Sequence, residues 1–188
     1  MNRSTSRPPG AFRGPAHRQQ GISLFLVMVF LVILSILGVA VIESSSLSAR
    51  IAGNEADRTL AFQAAEAALR DAEKDIRGVC TSNCRSTPIA PETADIFQAT
   101  CALGLCLPSA VGVTPVWEVK DNWTTTDRAA TYGRFTGATA LPVVSQQPQY
   151  LIEYFKMGEA FIYRVSATGY GANSSTQVLL QTSVKALK

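Results

Sequence analysis

The amino-acid sequence predicts an α+β protein in which one long N-terminal helix packs on a small antiparallel sheet of three to four strands. Residues 22–42 contain no charged side chain, and no proline occurs between Pro15 and Pro88, so nothing in the backbone interrupts a helix there. Toward the C-terminus, apolar and polar residues alternate over several short segments, which is typical of strands with one buried face.

The uncharged segment from Ile22 to Ile42 has the length of a membrane-spanning helix. Its 21 residues extend roughly 31 Å at about 1.5 Å per residue, which matches the ~30 Å hydrocarbon core of a bilayer. The segment does not end in the small-residue Ala-x-Ala pattern of a secretory signal, but continues into a polar, Ala-rich stretch. We therefore predict a helix over residues 22–77 with a transmembrane segment at residues 22–42.

The distribution of charge predicts the topology. The first 21 residues carry four arginines and no acidic residue, and the rest of the chain has 13 basic against 14 acidic residues. Because positive charge is retained in the cytoplasm, residues 1–21 should stay inside and everything after Glu43 should lie across the membrane. The nearly neutral exported part has no basic stripe, so we expect no nucleic-acid partner.

Beyond the membrane, the predicted helix is amphipathic. Its apolar face is formed by residues at steps of three and four, namely Phe62, Ala65, Leu69, Ala72 and Ile76. We expect this half to be mostly intramolecular core, because the small remainder of the chain needs a helix to cover its sheet. The membrane half, with Leu26, has no such partner and is the predicted surface for other helices. Gly78 stands where a C-cap glycine is expected, so the helix should end near Arg77.

The four cysteines, Cys80, Cys84, Cys101 and Cys106, all fall on the predicted exported side. An oxidising compartment favours disulfides there over the alternative of a zinc site. Four cysteines allow three connectivities. The local pairs Cys80 with Cys84 and Cys101 with Cys106 are favoured, because each gap contains turn residues and short loops close at low entropic cost.

The globular remainder begins with a connector rich in Ser, Thr, Pro and Gly, from Gly78 to about Pro115. Three strands are predicted after it, at Gln149–Phe155, Ala160–Thr168 and Gln177–Val184, and a fourth at Val116–Trp123. The first two should form a hairpin, because the four residues between them include Gly158.

The exported part lacks the residues of common catalytic sites. The only histidine is His17, before the membrane segment, so histidine-based triads, Cys-His dyads and zinc-histidine sites are excluded from the exported part. No Gly-rich phosphate-binding loop of the type G-x-x-x-x-G-K-[ST] is present. We expect no enzymatic activity, no cofactor and no metal.

Four segments of the sequence carry family-specific patterns, namely Arg18-Gln-Gln-Gly21, Arg50-Ile-Ala-Gly-Asn54, Leu60-Ala-Phe-Gln-Ala-Ala-Glu-Ala-Ala-Leu69 and Tyr163-Arg-Val-Ser-Ala-Thr-Gly-Tyr-Gly171. Together they resemble type IV pilins, and among them the PilX minor pilins. The resemblance implies a type IV pilin-like fold. It also implies that residues 1–21 are a leader, which prepilin peptidase removes after Gly21 before Ile22 is N-methylated. Residues 78–188 would then form a periplasmic globular domain.

The resemblance further implies a place and a set of partners. The chain would wait in the bacterial inner membrane, cross it once, and then enter a pilus at the cell surface. Its partners would be major and minor pilins, contacted through the N-terminal helix, and a tip adhesin is a further candidate.

Two departures from the pattern of major pilins point to a specialised subunit. Major pilins carry a glutamate five residues into the mature chain, where this sequence has Leu26, and many carry a proline where it has Glu43. We therefore expect an initiating or tip-located minor subunit. The alternatives are a pseudopilin of type II secretion and a single-span anchored periplasmic binding domain that never polymerises.

Overall fold

The computed structural model describes residues 21–158 and 160–185 and divides into two compact units, residues 1–49 and 50–188. Most of the predicted leader, residues 1–20 with His17 and Arg18, lies outside the described residues. The predicted α+β fold class is confirmed. Helix α1 spans Ile22–Ile76 and is followed by a small mixed sheet.

In the first unit, the N-terminal part of α1 is strongly apolar. The segment Ile22–Val39 has a mean hydropathy of 3.0, and none of it is buried inside the protein. Its length and composition fit a single-pass membrane anchor.

In the second unit, α1 ends at Ile76, one residue before the predicted end. The N–H of Gly78 donates to the carbonyl of Asp75 at 3.1 Å, and the N–H of Val79 donates to that of Lys74 at 2.8 Å. Gly78 has a φ of +67°, a left-handed conformation that glycine adopts without steric cost. These two hydrogen bonds form a Schellman motif, which satisfies carbonyl groups at the end of the helix.

The sheet has five strands, which are β1 (Leu105–Cys106), β2 (Ala130–Thr131), β3 (Gln149–Met157), β4 (Ala160–Tyr170) and β5 (Gln177–Lys185). The order is β1-β3-β4-β5, and β2 also pairs with β3. The three predicted C-terminal strands are present and antiparallel. Because β1 is parallel to β3, the sheet is mixed rather than purely antiparallel.

The predicted fourth strand at Val116–Trp123 is wrong. This segment consists of turns followed by the short helix α2 (Asp121–Thr124). The Asn122 amide donates to the carbonyl of Val116 at 2.7 Å, and the Trp123 indole donates to that of Trp117 at 2.9 Å. These side chains fold the segment back on itself, so its backbone does not extend. From here on, the connector means the whole stretch between α1 and β3, residues 77–148. A 3-10 helix, Pro91–Ile96, lies in its first part.

Both faces of the central strands are buried. On the helix face, Tyr150 and Ile152 of β3 and Val165 of β4 join α1 residues in one core. On the opposite face, Leu151 packs with Trp123 and other connector residues in a second core. The connector therefore covers the sheet face that α1 leaves free.

Candidate subunit interface and the scaffold that holds it

A stripe of alanines brings α1 directly against the sheet. It consists of Ala61, Ala64, Ala65, Ala68 and Ala72, all at most 2% exposed. At Gly169 of β4, an added Cβ would lie 2.2 Å from the Ala61 carbonyl oxygen and from the Ala65 nitrogen. The backbones of helix and strand are therefore in contact, and only glycine fits at this point of the strand.

The close approach of helix and strand corrects one predicted packing residue. Phe62 is 44% exposed, so the prediction that it belongs to the core is wrong. Where Gly169 meets the helix backbone, the contact face has room only for alanine, and the ring of Phe62 points away from it. Leu69 is half-buried against the core, and Ile76 lies within it.

Two aspartates on the buried face of α1 bind connector residues. Asp71 accepts hydrogen bonds from the N–H of Gly133, at 2.7 Å, and from the Thr136 hydroxyl. Asp75 forms an ion pair with Arg85, with both carboxylate oxygens within 2.9 Å of Nε. Both aspartates are at most 5% exposed. Neither aspartate was predicted as a buried residue, although their spacing of four residues places them on one helix face.

Tyr150 completes the buried group around Asp75. Its hydroxyl donates a hydrogen bond to Asp75 at 2.8 Å. Burial raises the pKa of Tyr150 far above its usual range, and the negative charge of Asp75 raises it further. The phenol therefore stays protonated and keeps donating to the carboxylate, which holds β3, α1 and the connector together.

A third aspartate, Asp57, binds the loop between β4 and β5. It accepts hydrogen bonds from the N–H groups of Ala172, at 2.6 Å, and Asn173, at 3.3 Å. A hydrogen bond with the Thr176 side chain is the main cause that lowers the pKa of Asp57 below its usual 3.8. An added Cβ at Gly171 would lie 2.5 Å from the carboxylate, so glycine leaves room for this contact.

The four cysteines form the two local pairs. Cys80 is bonded to Cys84 and Cys101 to Cys106, with Cα–Cα distances of 5.6 and 4.3 Å. Cys84 is exposed, whereas Cys101 and Cys106 are buried in the second core. Arg85, the residue after Cys84, donates a guanidinium hydrogen bond to the carbonyl of Leu103 at 2.7 Å. The central carbon of the same guanidinium group lies 3.7 Å from the Phe135 ring centroid.

The predicted residues of the membrane half lie in the first unit. Gly21 forms a bend directly before α1, and Ile22 is the first helical residue. Ile22 is 74% and Leu26 57% exposed. The segment Ile22–Val39 thus exposes a mostly apolar helix surface, which lipid or other apolar helices can cover.

Comparison with protein families agrees with this architecture. Residues 20–70 match the family model described as PilX N-terminal, and residues 78–186 match the one described as type IV pilus assembly protein PilX C-term. The chain belongs to the PilX family of type IV pilus assembly proteins. The first match covers most of α1, and the second covers the connector and the sheet. Comparison with curated proteins found no match, and comparison with solved structures found none either.

Membership of the PilX family confirms the resemblance seen in the sequence and gives the chain a role in type IV pilus assembly. Such a role implies contacts with other pilins. PilX proteins are structural components of the pilus, in keeping with the expectation of a non-enzymatic role.

Proposed function

We propose that this PilX-family protein is a minor pilin that acts in an initiating or tip complex of the type IV pilus, together with other minor pilins. The observation that carries the proposal is the pair of family matches, which cover both the helix and the sheet domain. The proposal assigns no catalysis to the chain.

The position in the pilus is argued from Leu26. In the related major pilins, a glutamate at the corresponding position pairs with the N-terminal amine of a neighbour, and Leu26 has no group that accepts such a proton. A subunit at the tip has few neighbours above it, so the missing carboxylate costs least there. Glu43, which replaces the proline of many major pilins, is a second departure from the shaft pattern.

The proposed route to the pilus begins at the membrane. Prepilin peptidase removes residues 1–21, and the new N-terminus at Ile22 is methylated. The sheet domain faces the periplasm while the apolar part of α1 holds the chain in the inner membrane. The helix then packs against other pilins, and the sheet domain contacts other minor subunits and a tip adhesin.

Mass spectrometry of the N-terminus tests the processing step. The mature chain should begin with N-methylated Ile22, and a Gly21→Leu variant should keep its leader, because a small side chain is needed at the cut. Gly38→Ala, at a glycine inside α1 with open space around it, is the control and should be processed normally. A Gly21→Leu chain of mature size would contradict the proposed cleavage site.

Counting pili tests the assembly role. Deletion of the gene should reduce the number of pili per cell and leave the shaft of the remaining pili unchanged. An unchanged number of pili would favour the anchored binding domain instead, and a defect confined to type II secretion would favour the pseudopilin.

A further inference from the structure

The two edges of the sheet differ in how they are protected. On one side, β3 is flanked by β1 and β2, each of two residues, and by the connector that carries them. Such short edge strands offer little backbone to a foreign strand. On the other side, β5 is the last strand and pairs only with β4.

Hydrogen bonds establish which backbone groups of β5 face outward. The N–H of Gly171 donates to the carbonyl of Thr176 at 3.0 Å, which makes these residues a hydrogen-bonded pair next to Tyr170↔Gln177. Hydrogen-bonded and non-hydrogen-bonded pairs alternate along an antiparallel ladder. Val178 and every second residue after it therefore bond to β4.

An independent hydrogen bond in the middle of the sheet leads to the same assignment. The N–H of Ile152 donates to the carbonyl of Gly104 at 2.6 Å, so the backbone of Ile152 faces away from β4. Its partner Val165 must then face β5, where it pairs with Thr182. The residues of β5 that alternate with these bonded positions, Leu179, Gln181 and Ser183, direct their N–H and carbonyl groups to the open edge. Among the described residues, these groups have no hydrogen-bond partner.

The open edge also lacks the usual devices against strand pairing. Nine consecutive residue pairs join β4 and β5 without a bulge, and β5 contains neither proline nor glycine. Its one charged residue, Lys185, stands at the end of the strand. Native proteins normally blunt such an edge with prolines, bulges, several charges or a covering element.

The side chains of β5 indicate what kind of strand would fit. On the helix face, Val178, Leu180 and Thr182 are only half-buried, and Val184 is buried. On the opposite face lies every second residue from Gln177 to Lys185. These side chains are exposed, and all of them except Leu179 are polar. An added strand with apolar residues on the helix face would extend the core, and an acidic residue near Lys185 would complement its charge.

We infer that the open edge of β5 is a docking site for an extended, amphipathic strand of another pilus subunit. This inference rests on the proposed role in pilus assembly and identifies the surface that serves it. A subunit in the proposed initiating or tip complex has other minor pilins as neighbours rather than a second copy of itself, so the strand comes from a different subunit. Main-chain hydrogen bonds along the edge provide affinity, and the apolar row provides specificity.

A proline at an outward-facing position tests the inference in the full-length protein. Ser183→Pro removes an outward N–H without removing a hydrogen bond to β4, because Ser183 does not bond to that strand. In a strain that lacks the native gene product, the variant should accumulate in the membrane at the wild-type level, and piliation should fall to that of the deletion strain. Ser183→Ala, which keeps the N–H, should restore piliation fully.

Photo-crosslinking supplies a second readout that does not depend on the folding of the proline variant. The photoreactive amino acid p-benzoylphenylalanine in place of Ser183 should form a crosslink to another pilin, identified by mass spectrometry. The same amino acid in place of the exposed Glu118, in the turn before α2, is the control and should give no such product. Equal crosslinking from both positions, crosslinking only between copies of this chain, or no crosslink at all would overturn the inference.

The two proposals can fail separately. If deletion of the gene leaves piliation unchanged, the proposed function is wrong. If deletion reduces piliation but a normally accumulating Ser183→Pro chain restores it, only the inference about the β5 edge is wrong.

Discussion

At the scale of single residues, the fold depends on small side chains and buried carboxylates at the contact between α1 and the sheet. Gly169 allows the strand backbone to touch the helix backbone. Asp71 and Asp75 then replace apolar contacts by hydrogen bonds to connector groups. The packing of α1 on the rest of the domain is therefore specific, because each carboxylate fits one set of hydrogen-bond donors.

Exchange of glycine for alanine should have opposite effects at two positions. Gly169→Ala should destabilise the protein by about 1–3 kcal/mol, because the new methyl group overlaps the helix backbone and the core must shift. Gly53→Ala, in α1 with open space around the glycine, should stabilise it by up to ~1 kcal/mol. Thermal unfolding of the full-length chain in detergent measures both. Equal stability of the two variants would show that helix and strand do not touch.

Removal of one buried carboxylate charge should cost far more than removal of an exposed one. Asp75→Asn leaves Arg85 without its anion in a site where both side chains are at most 9% exposed, and breaking such a pair costs about 3–5 kcal/mol. Glu66→Gln removes the exposed pair with Arg70 and should cost less than ~1 kcal/mol. Denaturant unfolding compares them, and a small effect of Asp75→Asn would contradict the role of this ion pair.

At the scale of elements, the sequence predicted the long periodic segments correctly. It did not predict the two short strands, nor the segment at Val116–Trp123, which side-chain hydrogen bonds fold back on itself. The alternation of Val178, Leu180, Thr182 and Val184 predicted β5 correctly. Strands β1 and β2 have two residues each and therefore no periodicity to detect. Asp71 and Asp75 have the composition of a solvated helix face, and their burial depends on donors some 10 to 75 residues away in the chain, which no local pattern contains.

The two disulfides should differ in their resistance to reduction. All four cysteines should be oxidised in the exported protein, so a thiol reagent should label none of them before reduction. A mild reductant should then open Cys80–Cys84 first, because Cys84 is exposed, while Cys101 and Cys106 are at most 4% exposed. Mass spectrometry after labelling should find two modified thiols in the folded protein and four after denaturation. Labelling before reduction, or stoichiometric zinc, would contradict the prediction.

At the scale of the whole molecule, the apolar helix segment and the sheet domain offer two different kinds of contact to a pilus assembly. The anchor supplies a surface without directional bonds, since apolar packing against lipid and against other helices differs little in energy. In the inferred docking, the open edge of β5 supplies directional bonds that select one partner. A subunit with this combination is suited to a fixed position in the pilus rather than to a repeating shaft.

The residue that should limit the copy number is Leu26. A charged side chain in a bilayer costs about 2.5–3.5 kcal/mol at the centre and less toward the ends, so a glutamate there is retained only where a neighbour's amine compensates for it. Leu26 avoids the cost but offers no such partner. In sheared pili, the wild-type chain should therefore be rare relative to the main subunit and be labelled at the tip. Leu26→Glu should raise its proportion, whereas the uncharged control Leu26→Gln should not. A wild-type proportion near that of the main subunit, or labelling spread evenly along the filaments, would show that Leu26 does not exclude the chain from the shaft.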